Sequence, residues 1–264
     1  MKYKLSILLI ILLIIPLFSG CKASYSKEKL TESICKLCEK EIGSKIECAL
    51  KGKTLYTLLY LTDLLNKDMK LSEKTVDIIQ SVLLSVNRVT LSTDAEIDFF
   101  VVIIADKSSG VEIVFTQYID DLRRWILSNI SRSDFFSRSL TDITIKEKDR
   151  IIDLDIMPEI SLPDFMTKLV VSLIKKDFEQ NMILQILMNV AKIEASFKEG
   201  YFNYNIHKLD PSSKLLLEKP DDKYPDILSK IKETHDKVKN KYKFTEFKGF
   251  LIKLEDKILF DSTK

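Results

Sequence analysis

The stretch Ile97-Asp98-Phe99-Phe100-Val101-Val102-Ile103-Ile104-Ala105 decides the fold class. It is nearly all apolar and reads as a central strand covered on both faces. Lys107-Ser108-Ser109-Gly110 follows as a turn of hairpin length. Val111 to Thr116 then returns with Val111, Ile113 and Phe115 alternating. Just upstream, Arg88 to Thr93 alternates as well, with Val89 and Leu91 on one side, and is expected to be a strand of the same meander. This meander is the expected nucleus of the fold.

Working outward, helices surround it. Leu30, Ile34, Leu37 and Ile42 fall at helical spacing within Lys27 to Ile42, and Gly43 is a natural stop. A second helix is expected from Ser44 towards Leu50, and a third, leucine-rich one from about Thr54 to Asn66. Ser72 has the place of an N-cap for a helix to about Val86. After the meander, Ile119, Leu122, Ile126 and Ile130 predict a helix from about Tyr118, and Ser133 a shorter one through Leu140.

Residues 144–162 are charged and irregular, with Pro158 and then Pro163, and form the candidate boundary between halves 30–145 and 146–264. A single domain over 30–264 is the other possibility. Ser161 before Leu162-Pro163-Asp164 marks a helix start, with an end near Asp177. Met182 to Phe197 reads either way, although Lys192 to Phe197 alternates as a strand does, and Tyr201 to Ile206 follows as its hairpin partner. A charged helix is expected over about Pro225 to Lys241, then short strands Phe250 to Leu254 and Lys257 to Phe260 about Glu255-Asp256. Helices mixed with short antiparallel strands make the class α+β. No repeat at a fixed period is visible.

The N-terminus carries the clearest signal. Lys2 and Lys4 precede an apolar run from Leu5 to Ile15, then Pro16 and Leu17-Phe18-Ser19-Gly20-Cys21. Charged start, short apolar stretch and small residues describe a secretory signal over residues 1–20, too short for a bilayer core that needs about 20 apolar residues. Ser19-Gly20-Cys21 resembles the lipobox of bacterial lipoproteins, with Phe18 standing where that class usually has Leu. The resemblance implies cleavage before Cys21, diacylglycerol on its thiol and palmitate on the mature protein. It also implies a membrane partner reached through the N-terminal lipid. The polar stretch from Lys22 to Lys29 spans at most about 25 Å, so the folded part is expected close to the membrane, in the periplasm or at the cell exterior. Lys22 rather than Asp after the lipidated Cys leans towards the outer membrane where the host has two.

The chain holds 41 basic and 39 acidic residues; without Lys2 and Lys4 the two counts are equal. A nucleic-acid binder needs a basic surplus, so no nucleic-acid partner is expected. Three cysteines remain besides Cys21. Cys35 and Cys38 form a CxxC pair without the strand, the following His or the fourth ligand that redox, haem or zinc chemistry needs. Cys38 and Cys48 lie symmetrically about Gly43, so an antiparallel helix pair turning there predicts a structural disulfide between them, with unpaired thiols as the alternative.

Of 35 Lys and six Arg, four Arg gather at Arg123, Arg124, Arg132 and Arg138. Planar, forked donors kept in so Lys-rich a chain suggest either ion pairs with Asp120, Asp121, Asp134 and Asp142 or a surface for an anion or partner. Asp94, Glu96 and Asp98 alternate, but the EF-hand pattern fails, and no metal or cofactor is assigned. His207 and His235 lack any accompanying catalytic motif, which disfavours an enzyme. The composite expectation is a lipid-anchored binding or assembly component of the cell envelope with an envelope protein partner. A small-ligand-binding lipoprotein is the alternative, and an envelope hydrolase the least favoured.

Overall fold

The computed structural model describes residues 25–65, 71–179, 191–208, 227–255 and 257–264. Its centre is strand β3 (Phe99–Ala105), all seven residues of which are buried. β3 pairs in parallel with β2 (Thr54–Tyr60), from Thr54 opposite Phe99 to Tyr60 opposite Ala105, and antiparallel with β4 (Val111–Tyr118). β1 (Ile46–Lys51) and β5 (Leu140–Ile145) complete a sheet of order β1-β2-β3-β4-β5. Gly110 turns the β3–β4 hairpin at φ +76°, and an added Cβ there would stand 2.3 Å from the carbonyl oxygen of Lys146.

A parallel neighbour requires a crossover, and α2 (Glu73–Leu91) supplies it. Its cap is the Ser72 hydroxyl, which accepts from the amide of Thr75. α1 (Leu30–Ile42) ends at Gly43 in the left-handed conformation. Both helices cover one face of the sheet, over Leu55, Leu59, Phe100, Val102 and Ile104. The other face presents Tyr56, Leu58, Val101 and Ile103, and Ile152 and Leu154 lie across it. That strap is fastened by polar bonds: the Tyr56 hydroxyl donates to the Pro158 carbonyl, and the amides of Ile152 and Ile160 donate to Tyr60 and Thr54. A helical hairpin, α3 (Ile119–Ile126) and α4 (Arg132–Ser137), links β4 to β5.

The second unit has α5 (Leu162–Glu179), β6 (Ala191–Lys198), β7 (Tyr201–Lys208), α6 (Ile227–Tyr242), β8 (Gly249–Leu254) and β9 (Lys257–Asp261), with sheet order β6-β7-β8-β9. Its middle strands β7 and β8 are parallel, as β2 and β3 are. Helix, hairpin, helix, hairpin therefore occurs twice, and the buried positions correspond. Leu55, Leu59, Phe100, Val102 and Ile104 match Phe202, Ile206, Phe250, Ile252 and Leu254. Val82, Ser85, Val86 and Val89 of α2 match Ile231, Thr234, His235 and Val238 of α6 at identical spacing. Leu30, Ile34 and Cys38 of α1 match Met166, Val170 and Ile174 of α5. The separation between equivalents grows along the chain, which is why no fixed period shows in the sequence. Among the described residues, α3, α4 and β5 belong to the first unit alone.

The α+β class stands, and several local expectations are corrected. Residues 46–51 and 54–60 are strands rather than helices: the leucines of 54–60 lie on a strand covered on both faces, where apolar runs lose the period-two signature, and 46–51 is the half-exposed edge strand that pairs with it. Arg88 to Leu91 is the last turn of α2, and Leu140 opens β5 rather than closing a helix. The short helix is capped by Ser131 rather than Ser133. Residues 1–24, most of the ambiguous run from Met182, and Pro225 and Asp256 lie outside the described residues.

The second core encloses His235. Its Nδ1 lies 2.8 Å from the Tyr204 hydroxyl, while its buried Nε2 has no partner among the described residues. Phe202, Phe247 and Phe250 ring it, and burial holds its pKa down to about 4. Asp236 pulls that value up and Lys239 pushes it down, both more weakly than burial. The unfolded chain takes up this proton near 6.5 and the folded chain only near 4, so stability falls as pH drops through that window. His235→Phe is expected to flatten the loss of melting temperature between those pH values, and an unchanged slope in scanning calorimetry would reject this assignment.

Candidate functional site

A cleft lies where the two sheets approach each other over α5. Leu140 and Asp142 of β5 form one wall, Ile193 and Ala195 of β6 the other, and Val171 and Ser172 of α5 the floor. Its volume is about 370 Å³, within the range of small-molecule sites. Lys168, Lys175 and Lys176 line it, exposed, and none has an ion-pair partner among the described residues. Lys168, Ser172 and Lys175 recur at helical spacing, which sets their side chains along one face of α5. Three lysines therefore meet one acid, Asp142, along the lining of this cleft, which leaves it net positive.

The arginine cluster divides in the structure. Arg138 is buried and ion-paired rather than part of an open surface. Its Nε and Nη2 donate to Asp134 Oδ2 at 3.1 and 2.7 Å, and its Nη1 donates to Asp121 Oδ1 at 3.0 Å. From α6, the Tyr242 hydroxyl donates to Asp121 at 2.6 Å and Lys241 donates to Asp134 at 2.6 Å. These groups clasp the α3–α4 hairpin to the second unit. Burial opposes the charge on Asp134, but Arg138 and Lys241 outweigh it and hold that carboxyl down to about 2. Burial raises Asp121 above the ordinary carboxylate range, against the pull of Tyr242 and Arg138. Burial and the Asp121 charge raise the Tyr242 phenol, which keeps its proton and donates it. Arg124 pairs with Asp120 at 2.7 Å on the surface, while Arg123 and Arg132 are exposed.

The cysteines also sort differently. Cys48 lies on β1, not on a helix, so the chain after Gly43 brings it to Cys35, with the sulfurs 2.8 Å apart. Cys38 points into the core instead, and burial pushes its thiol up to about 11. The contact with Cys48 lowers the Cys35 thiol, which favours the thiolate needed for exchange.

His207 is half-exposed between Glu194 and Glu255, at 3.5 and 3.2 Å, and does not line the cleft. His235 is enclosed in the second core. The structure does not bring the two histidines together, and neither lines the cleft. The acidic trio is spread among different partners: the amide of Lys27 donates to Asp94, while Lys53 pairs with Glu96 and Asp98. No metal-holding cluster occurs among the described residues. The lysine cleft itself was not legible, because β5 was unread and the facing strand lies in the other unit. The only sequence signal was Lys168 and Lys175 flanking Ser172.

Two outcomes follow from this geometry. Asp121→Asn is expected to cost about 3 kcal/mol, because it leaves Arg138 buried with one carboxylate fewer, whereas Arg124→Lys costs at most about 1 kcal/mol. Thermal melts of both variants check the contrast, and equal losses would remove the clasp its role. Peptide mapping after mild oxidation with a small-molecule disulfide is expected to find Cys35 joined to Cys48 and Cys38 free; a Cys38–Cys48 bridge would overturn that pairing. No protein-family model matches the chain, and no match to it was found among curated proteins or solved structures.

Proposed function

We propose that this chain is an exported, lipid-anchored envelope protein that acts by binding, holding an acidic segment of a partner protein in the Lys168–Lys175–Lys176 cleft. The cleft carries this reading: three lysines with no ion-pair partner among the described residues line it between two sheets. The leader ending in Ser19-Gly20-Cys21 supports the anchor, with the protein facing the periplasm or the cell exterior. The mature chain begins near the folded body. The Tyr25 amide donates to the Ser92 carbonyl at 3.3 Å, and the Asp94 amide donates back to the Tyr25 carbonyl at 3.4 Å. No helix among the described residues is long and apolar enough to cross a membrane.

A small anion is the second reading, favoured by the cleft volume of about 370 Å³. One experiment separates the two. The native protein and a Lys168→Glu/Lys175→Glu variant are crosslinked in their membranes, purified and analysed by mass spectrometry. A stoichiometric partner lost in the variant supports the first reading. Bait alone, with a melting temperature raised by a carboxylate or phosphate only in the native protein, supports the second. A partner captured equally by both proteins, or no partner and no anion response, rejects the cleft as the binding site.

A further inference from the structure

The α3–α4 hairpin is the part of the first unit that interrupts the internal repeat. One side is fixed: Trp125 stacks on Phe135 at 4.7 Å, and Asp121, Asp134 and Arg138 form the clasp to α6. The other side is apolar and open. Ile126, Leu127 and Phe136 are 55%, 69% and 53% exposed. Of the six arginines, Arg88, Arg124, Arg138 and Arg150 each have a carboxylate partner. Arg123 and Arg132 have none among the described residues, and Arg132 lies over the Phe136 ring at 5.6 Å. Asp120, Asp121 and Asp134 are already engaged by Arg124, Arg138 and Lys241. The charge this hairpin offers to its surroundings is therefore positive, beside three exposed apolar side chains.

Its position matters as much as its composition. The hairpin starts where the Ile119 amide donates to the Asp98 carbonyl at 2.8 Å, at the end of the sheet where β3 begins and β4 finishes. Tyr25 and Lys27 are fastened at the same end, through Ser92 and Asp94. Cys21 lies four residues before Tyr25, a span of at most about 14 Å. A lipid on Cys21 thus holds this end of the molecule against the bilayer.

We propose that the α3–α4 hairpin is a second, non-covalent membrane contact, in which Leu127, Ile126 and Phe136 enter the headgroup–acyl boundary and Arg123 and Arg132 meet anionic headgroups. The proposal rests on the lipid-anchor reading. Apolar side chains flanked by basic ones suit an interface of hydrocarbon and anionic lipid. Two contacts fix the orientation of the protein on its membrane, where one lipid group alone leaves it free to turn.

Trp125 is the only tryptophan of the chain and adjoins Ile126 and Leu127, so its fluorescence reports the hairpin directly. The native, full-length processed protein is reconstituted into vesicles of equal parts phosphatidylcholine and phosphatidylglycerol, with and without a nitroxide on the headgroups. Its N-terminal peptide is weighed in the same preparation. Quenching of about twofold or more is expected, and an Arg123→Glu/Arg132→Glu variant with an unchanged melting temperature is expected to lose most of it. An unquenched Trp125 in protein whose Cys21 carries lipid overturns the hairpin contact and leaves the anchor standing. A Cys21 peptide without lipid overturns the anchor, and with it the placement on which the hairpin contact depends.

Discussion

The parallel pairing of β2 with β3 is the constraint from which the rest of the first unit follows. Two parallel neighbours buried on both faces need a crossover helix on one side and a second cover on the other. α2, with α1 beside it, provides the first layer. The strap carrying Ile152 and Leu154 provides the second, and Phe99 and Leu140 carry this outer face on into the core around α5. The Phe99 ring stands 5.2 Å from that of Phe165, so the first sheet closes one side of the second unit's core. Among the described residues, helices cover only the inner face of the second sheet. Its outer face carries Lys192, Glu194, Asn203 and Asn205, which is why its strands alternate cleanly in sequence and those of the first sheet do not.

Charge placement separates two kinds of basic residue. Arginine is concentrated where a forked, rigid donor can satisfy two carboxylates at once, as Arg138 does between Asp121 and Asp134. Lysine lines the cleft, where a mobile point charge can follow an anion of variable shape. The same contrast explains why the arginine-rich segment does not act as one surface. Its most buried member holds the architecture together, Arg124 is paired on the surface, and Arg123 and Arg132 have no carboxylate partner among the described residues.

Much of this was legible from residues alone, and the misses have physical causes. β3, the Ser72 cap, the α5 start at Ser161 and the strands from Lys192 onward follow from periodicity and capping chemistry. The run from Thr54 to Tyr60 was not legible, because a strand buried on both faces is as uniformly apolar as a buried helix of the same length. β5 escaped because Ile143 and Ile145 are exposed on it, 61% and 70%, and gave no inward pattern to follow. The Cys35–Cys48 contact depended on Cys48 being in a strand, so one misread element moved the pairing. The cleft lysines became meaningful only once β5 and β6, from different units, formed its walls.

The duplicated architecture has a consequence for cooperativity. Each unit has its own helix pair and its own sheet, so nothing in the chain connectivity alone obliges them to unfold together. What joins them is chemical: the apolar contact about Phe99 and a buried cluster of two carboxylates, a guanidinium, an ammonium and a phenol. Conditions that neutralise or screen that cluster remove part of what couples the two units. The walls of the lysine cleft come from different units, so the contacts that join the units also hold those walls facing each other.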